Sequence, residues 1–251
     1  MNGTGRIRIA AIGDLHCPKS PSPLLQSLFT HAAQHADVLL LCGDLTDHGL
    51  EEEARLLAKD LATAKTPAIA VLGNHDYEAG KAETVVAILK EVGVQILDGD
   101  SVEIAGVGFA GVKGFAGGFG ERALQPWGEP SIKAFVHEAV GEALKLETAL
   151  AKLRTGLRIA LLHYSPIHET LEGEPTEIYP FLGSSRLEEP LTRYPVAAVF
   201  HGHAHRGRLE GRTRDGAPVY NVSLPLLLQH AEPDRPAVRI VELTLPAAQA
   251  A

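Results

Sequence analysis

Val38-Leu39-Leu40-Leu41-Cys42-Gly43-Asp44-Leu45-Thr46-Asp47 is the stretch from which the rest of the chain is read. Five apolar residues in a row leave no room for polar alternation, the pattern of a strand buried on both faces. Gly43 ends the run, so Asp44 stands at the carboxyl end of that strand. In an open α/β sheet, ligands gather beyond this end. A single carboxylate there is a weak signal, but four more polar clusters follow apolar runs in the same way: Asp14 with His16, Asn74, His163, and His203 with His205. The five clusters are expected to converge on two metal ions, with Asp44 bridging them.

On either side of the opening strand, Ile7 to Gly13 and Ala68 to Leu72 read as strands, ending in Asp14-Leu15-His16 and Gly73-Asn74-His75-Asp76. Apolar residues at helical spacing occupy Leu24 to His35, Leu50 to Ala64 and Lys81 to Glu91. This β-α-β-α-β-α order predicts a parallel sheet with right-handed crossovers. The pattern then changes. Val94 to Leu97 and Ser101 to Ala105 read as short strands joined in hairpin fashion by Asp98-Gly99-Asp100. Gly106 to Gly120 reads as a strand and a loop, and Ser131 to Leu153 as the longest helix, N-capped by Ser131. Leu157 to Leu162 and Val196 to Phe200 are strands leading into His163 and into His201-Gly202-His203-Ala204-His205. Between them, Tyr164 to Tyr194 is too long for a plain connector. Ala217 to Val222 and Val238 to Leu245 close the pattern. No repeat or linker interrupts residues 1–251, so a single domain is expected.

The bulk properties narrow the function class. Of 251 residues, 45% are hydrophobic, enough for a sizeable core, and the formal charge of −8 disfavours nucleic-acid polymers and anionic membranes. No apolar run approaches the roughly 18 residues that span a bilayer. The first residues carry no signal-peptide pattern. Two cysteines, Cys17 and Cys42, imply no disulfide framework and read as small buried residues. A cytoplasmic protein is expected, its oligomeric state open.

Imidazole and carboxylate ligands suit zinc, iron, manganese or nickel. In an extended segment, Asp14-x-His16 and His203-x-His205 each place both side chains on one face. A carboxylate reaching two cations is a standard way to hold them about 3.5–4 Å apart.

The ordered series Asp14-x-His16, Gly43-Asp44-x-x-Asp47, Gly73-Asn74-His75-Asp76, His163 and Gly202-His203-x-His205 resembles the calcineurin-like metallophosphoesterase family, with every motif present over residues 14–205. The resemblance implies an α/β fold, a four-layer αββα sandwich with two central mixed β-sheets and the dinuclear site at the strand ends. It implies that Asp14, His16, Asp44 and His205 hold one divalent ion, and Asp44, Asn74, His163 and His203 the other. It further implies hydrolysis of a small phosphodiester or phosphomonoester by a hydroxide bridging two ions, with His75 protonating the leaving alkoxide. Asp76 is expected to orient the His75 ring, against the rival reading of a surface turn. Asp47 is read as supporting the site from behind or as a helix N-cap. Gly43-Asp44-Leu45-Thr46-Asp47-x-Gly49 with Gly73-Asn74-His75-Asp76 is similar to the cyclic-nucleotide-phosphodiesterase-like branch.

Substrate residues are less legible. Loops 113–127 and 164–193 are expected to wall the site, and Ser184-Ser185-Arg186 is the candidate phosphate contact, two hydroxyls beside a guanidinium. His201 and His168 read as structural, with substrate contact as the rival reading for each. Two competing readings are a binding scaffold that has lost hydrolysis, which the intact motifs oppose, and a nuclease, which the acidic balance and the lack of a basic stripe oppose.

Overall fold

The computed structural model describes residues 5–232 and 235–246. The first half alternates strand and helix as its periodicity dictates: β1 (Arg6–Ile12), α1 (Pro23–His35), β2 (Val38–Cys42), α2 (Glu51–Ala64), β3 (Ala68–Val71), α3 (Ala82–Glu91) and β4 (Gln95–Ile96). The second half comprises β5 (Asp100–Ile104), β6 (Val107–Gly111), α4 (Pro130–Lys152), β7 (Leu157–Leu161), α5 (Tyr179–Leu182), α6 (Glu188–Arg193), β8 (Ala198–His201), β9 (Glu210–Arg212), β10 (Pro218–Asn221), α7 (Leu224–Gln229) and β11 (Arg239–Thr244).

Two mixed sheets result. The first has the order β11-β1-β2-β3-β4, parallel except for β11; the second has the order β5-β6-β7-β8-β10-β9, parallel at its centre with antiparallel edges. Period-two alternation divides the second sheet between two cores. Val107, Phe109, Ile159, Leu161, Ala198 and Phe200 pack with the first sheet, whose other face carries α1, α2 and α3. Ala110, Ala160 and Val199, from the same strands, pack with Leu146, Ala149 and Leu150 of α4. The layering is helix, sheet, sheet, helix, the four-layer αββα sandwich that the resemblance implied. All five residues of β2 are buried, as a strand covered on both faces requires.

Three local expectations are corrected. Residues 94–97 and 101–105 do not form a hairpin: β4 joins β3 in the first sheet, and β5 joins β6 in the second. The Leu97 amide donates to the Ala70 carbonyl (2.8 Å) and the Gly99 amide to the Gly111 carbonyl (2.8 Å), so the connection crosses between sheets. Ser131 is not the cap of α4; that helix starts at Pro130 after Glu129, because proline presets the first helical φ and lacks an amide to satisfy. Asp47 caps nothing. The start of α2 is held instead by Glu53, whose Oε2 accepts the amides of His48 (2.9 Å) and Leu50 (3.2 Å). The periodicity also missed β9, three residues on a sheet edge, and α7, which follows directly on Asn221 and Val222.

The two sheets are laced together where their strands end. The Gly13 amide donates to Val222, Val222 to His201, and Gly202 to His163, each along backbone bonds of 2.8–3.1 Å. The Lys113 carbonyl accepts the amides of both His163 and Tyr164, and the buried Glu142 of α4 accepts the Gly114 amide at 2.8 Å. The loops carrying the candidate ligands are thus fixed by main-chain bonds that do not depend on those side chains.

Candidate metal centre

Asp14, His16, Asp44 and His203 all have left-handed backbone, with φ of 54°, 41°, 46° and 68°. An L-residue there costs about 1–2 kcal/mol, and such strain clusters at functional sites. This corrects the extended geometry expected for Asp14-x-His16. The chain instead turns sharply after β1, and the Asp14 and His16 amides donate to the Gly43 and Asp44 carbonyls (2.9 and 3.0 Å). The strand-end loops of β1 and β2 therefore run side by side, presenting Asp14, His16 and Asp44 to one spot.

Among the described residues, three groups of ligand atoms, each within 4.8 Å of one another, form there: Asp14, His16 and His205; Asp44, His163 and His203; and His16, Asp44 and His75 between them. His16 links them, its Nε2 lying 3.8 Å from Asp44 Oδ2. In the first group Asp14 Oδ1 receives His205 Nε2 at 2.9 Å, and the same carboxylate accepts the His203 amide. In the second, the His163 Nδ1–H donates to the Cys42 carbonyl (3.0 Å), which fixes the tautomer. Its Nε2 lone pair then faces Asn74 Oδ1 at 2.9 Å and Asp44 Oδ1 at 3.5 Å. His203 turns Nε2 toward the Phe181 carbonyl at 3.3 Å, leaving Nδ1 free.

The electrostatics fit cations. Burial, with neighbouring His163, holds His203 down at about 3 despite both carboxylates, and burial lowers His163 as well, so both rings are neutral at neutral pH. Burial would raise Asp14, but the His205 hydrogen bond and the surrounding imidazoles bring it down to about 2. Asp44 is pushed up, by burial first and then by Asp14. His16 Nε2 is buried with no hydrogen-bond partner. Buried lone pairs facing one another without a donor between them are costly, and divalent cations relieve that cost.

Glycine makes the cradle possible. A Cβ on Gly43 (φ +80°) would stand 2.4 Å from His163 Nδ1, on Gly73 2.2 Å from Asp44 Oδ1, and on Gly202 2.3 Å from Asp14 Oδ2. Gly43→Ala is expected to lose at least roughly 1–2 kcal/mol from the left-handed backbone alone, and to displace the His163 ring. Denaturant titration with manganese analysis checks this: an unchanged midpoint and full metal content would refute the packing argument.

The site residues beyond these ligands meet mixed outcomes. The His75 amide donates to Asp44 Oδ1 (2.8 Å) and its Nδ1–H to the Asp47 carbonyl (2.7 Å). Asp76 does not orient that ring, nor is it a surface turn. It is fully buried and accepts from the amides of Leu45, Thr46 and Gly73 and from the Thr46 hydroxyl (3.2, 2.9, 2.8 and 2.6 Å). It fastens the loop after β2 to the loop after β3, so Asp76 is a positioning residue rather than a catalytic one. The Asp47 side chain lies 3.4 Å from His16 Nδ1, behind that ligand. Both cysteines are buried. His201 is buried against the Gly202 carbonyl and Thr170 Oγ1, both at 2.8 Å.

The proposed phosphate contacts are not gathered at the ligands. Ser184 Oγ accepts the Arg186 amide (3.3 Å), Ser185 Oγ accepts the Gly120 amide (3.1 Å), and Arg186 Nη2 donates to the Leu124 carbonyl (2.8 Å). These groups hold loop 117–124 in place. The segment 164–193 reaches the centre through the Phe181 backbone of α5 instead, a contact that the side-chain chemistry of the sequence does not signal.

A family model, calcineurin-like phosphoesterase, matches residues 7–207. The chain belongs to that family. Among solved structures, the phosphopantetheinyl hydrolase PptH of Mycobacterium tuberculosis is similar over 99% of both chains, with 20% identity and a TM-score of 0.66. TT1561 of Thermus thermophilus is similar over 86% of this chain and 88% of its own, at 20% identity and a TM-score of 0.59. A putative 5'-nucleotidase of Staphylococcus aureus aligns with 86% of this chain but 48% of its own length, at 15% identity and a TM-score of 0.54. At these identities the likeness is one of fold. No curated protein matches significantly.

Proposed function

We propose that this calcineurin-like phosphoesterase hydrolyses small phosphoesters with two divalent cations. Asp14, His16, Asp44 and His205 would hold one ion, and Asp44, Asn74, His163 and His203 the other. The carrying observation is the convergence of imidazole nitrogens, an amide oxygen and two buried carboxylates at the carboxyl ends of both sheets. When bound, such ions supply positive charge to phosphoryl oxygens and bring the pKa of a coordinated water toward neutrality.

The chain's own residues do the rest. Asp44 Oδ1 anchors the His75 amide, so the candidate acid is tied to the bridging ligand by one bond. The Asp47 carbonyl engages Nδ1–H and leaves Nε2 free to hand a proton to the departing alkoxide. Asp76 keeps both loops in register from beneath. The PptH and nucleotidase likenesses support a phosphoester substrate without naming it.

The test is turnover of p-nitrophenyl phosphate and bis-p-nitrophenyl phosphate, with manganese and after chelation. Hydrolysis of either ester that disappears on chelation and returns with manganese is expected. A metal-loaded protein inert toward every ester would leave the scaffold reading.

A further inference from the structure

Beside the His75 ring stands a further group of ligand atoms, which the centre described above does not use. His48, from the loop after β2, meets His75 and Glu78, from the turn after β3, with one ligand atom of each within 4.8 Å of the others. Glu78 Oε2 lies 3.0 Å from His48 Nδ1 and 3.7 Å from His75 Nδ1. The Asp47 carbonyl oxygen, 2.7 Å from His75 Nδ1, is a fourth donor. Two imidazole nitrogens, a carboxylate oxygen and a carbonyl oxygen suit a four-coordinate zinc ion. Manganese binds a given nitrogen and oxygen set more weakly than zinc does, so manganese at the main centre leaves this group open.

The backbone holds the group together. The His48 amide donates to Glu53 Oε2 (2.9 Å) and the Glu78 amide to the His75 carbonyl (3.1 Å). A Cβ on Gly49 would stand 2.7 Å from the Asp76 carbonyl oxygen, so the two loops touch. Asp47 Oδ2 lies 3.4 Å from His48 Nε2, at the ring nitrogen away from Glu78. A carboxylate at one imidazole nitrogen orients the other toward a metal, as in the carboxylate–histidine–zinc arrangement. With a single proton on Nε2, His48 aims an Nδ1 lone pair at Glu78 Oε2, a repulsion that a second proton or a cation removes. A cation also reaches His75 Nδ1 and the Asp47 carbonyl, which a proton on His48 does not. The side chains of His48 and Glu78 are about half exposed, so an ion enters directly from solvent.

We propose that His48, His75 and Glu78, with the Asp47 carbonyl, form a further zinc site, and that zinc there inhibits the enzyme. The site stands on the contacts above; the inhibition rests on the phosphoesterase reading, with His75 as the acid. An imidazolium that protonates an alkoxide carries hydrogens on both nitrogens. Zinc takes the place of the Nδ1 hydrogen, which leaves as a proton to solvent. The hydrogen that remains on Nε2 belongs to an uncharged ring, a far weaker acid.

Equilibrium dialysis of manganese-loaded protein against zinc, followed by metal analysis, tests the site. Wild type is expected to take up one zinc per chain while retaining its manganese. His48→Ala and Glu78→Gln should each bind that zinc at least about tenfold more weakly. The same zinc should slow hydrolysis of an alkyl phosphate at least about tenfold and that of p-nitrophenyl phosphate much less. Both variants should keep their zinc-free rates and escape the inhibition. Zinc uptake matched by manganese loss, or an additional zinc that both variants still hold, overturns the site. Inhibition that is equal in wild type and variants overturns its regulatory role. A wild type that binds the additional zinc but hydrolyses no ester in its absence counts against the phosphoesterase reading alone, because the metal count needs no turnover.

Discussion

Asp44→Asn is expected to weaken manganese binding more than about 100-fold, beyond the loss typical of groups that merely support a ligand, and to abolish hydrolysis. Among the described residues, Asp44 is the carboxylate within reach of ligand atoms from both groups: Oδ2 lies 3.8 Å from His16 Nε2 and Oδ1 3.5 Å from His163 Nε2. An asparagine keeps an oxygen for the His75 amide, so the loop after β3 stays anchored. Its NH₂ group, however, presents hydrogens where a cation needs a lone pair, and one negative charge is gone from between the two groups. Thermal denaturation separates this from simple misfolding. Manganese at about 100 times its dissociation constant should stabilise the wild type by about 2.7 kcal/mol, a Tm rise of roughly 5–10 °C for a chain of this size. The variant should match the chelated wild type and show no rise. A variant that retains two equivalents of manganese would refute the bridging role.

His75→Ala should behave in the opposite way, with metal content intact and kcat lowered about 10²–10⁴-fold. Its ring belongs to neither the Asp14–His16–His205 nor the Asp44–His163–His203 group, although it stands with His16 and Asp44 in a third, and its backbone amide, which engages Asp44, survives the substitution. The dependence on leaving group is the sharper readout. An alkoxide needs a proton as it departs, whereas p-nitrophenolate leaves readily without one. The variant should therefore lose much more rate on an alkyl phosphate than on p-nitrophenyl phosphate. Equal losses on both esters would mean that His75 stabilises phosphoryl charge rather than donating a proton, and a metal-free variant would make it a ligand.

The two outcomes diverge because of covalent geometry on a short segment. Asn74, His75 and Asp76 are consecutive, yet one side chain faces His163, the next is free at Nε2, and the third points into the protein to accept four hydrogen bonds. A helical turn over His75–Tyr77 spreads neighbouring side chains around its axis in this way. Only once that turn is seen does Asp76 cease to be a partner of the His75 ring. The motif alone makes adjacency look like contact.

What the sequence determined by itself was the strand–helix alternation of the first half and the identity of the candidate ligands. Both follow from local rules: a strand covered on two faces must be continuously apolar, as Val38 to Cys42 is, and polar residues that break such a run fall at the strand's end, where a parallel sheet opens to ligands. Tertiary structure decided the remainder. Asp98-Gly99-Asp100 has the chemistry of a hairpin turn, but the free edges of β3 and β6 took its flanking strands into different sheets. Glu53 became the cap of α2 and Asp76 a loop fastener because each found unpaired amides brought close by the fold. Leu124, Ile132, Phe135, Pro180 and Phe181 line one cleft although they come from loop 117–124, α4 and α5, elements distant in sequence and joined by no shared periodicity. Periodicity reports which side of a segment is buried, whereas the partner is set by the long-range packing that buries it.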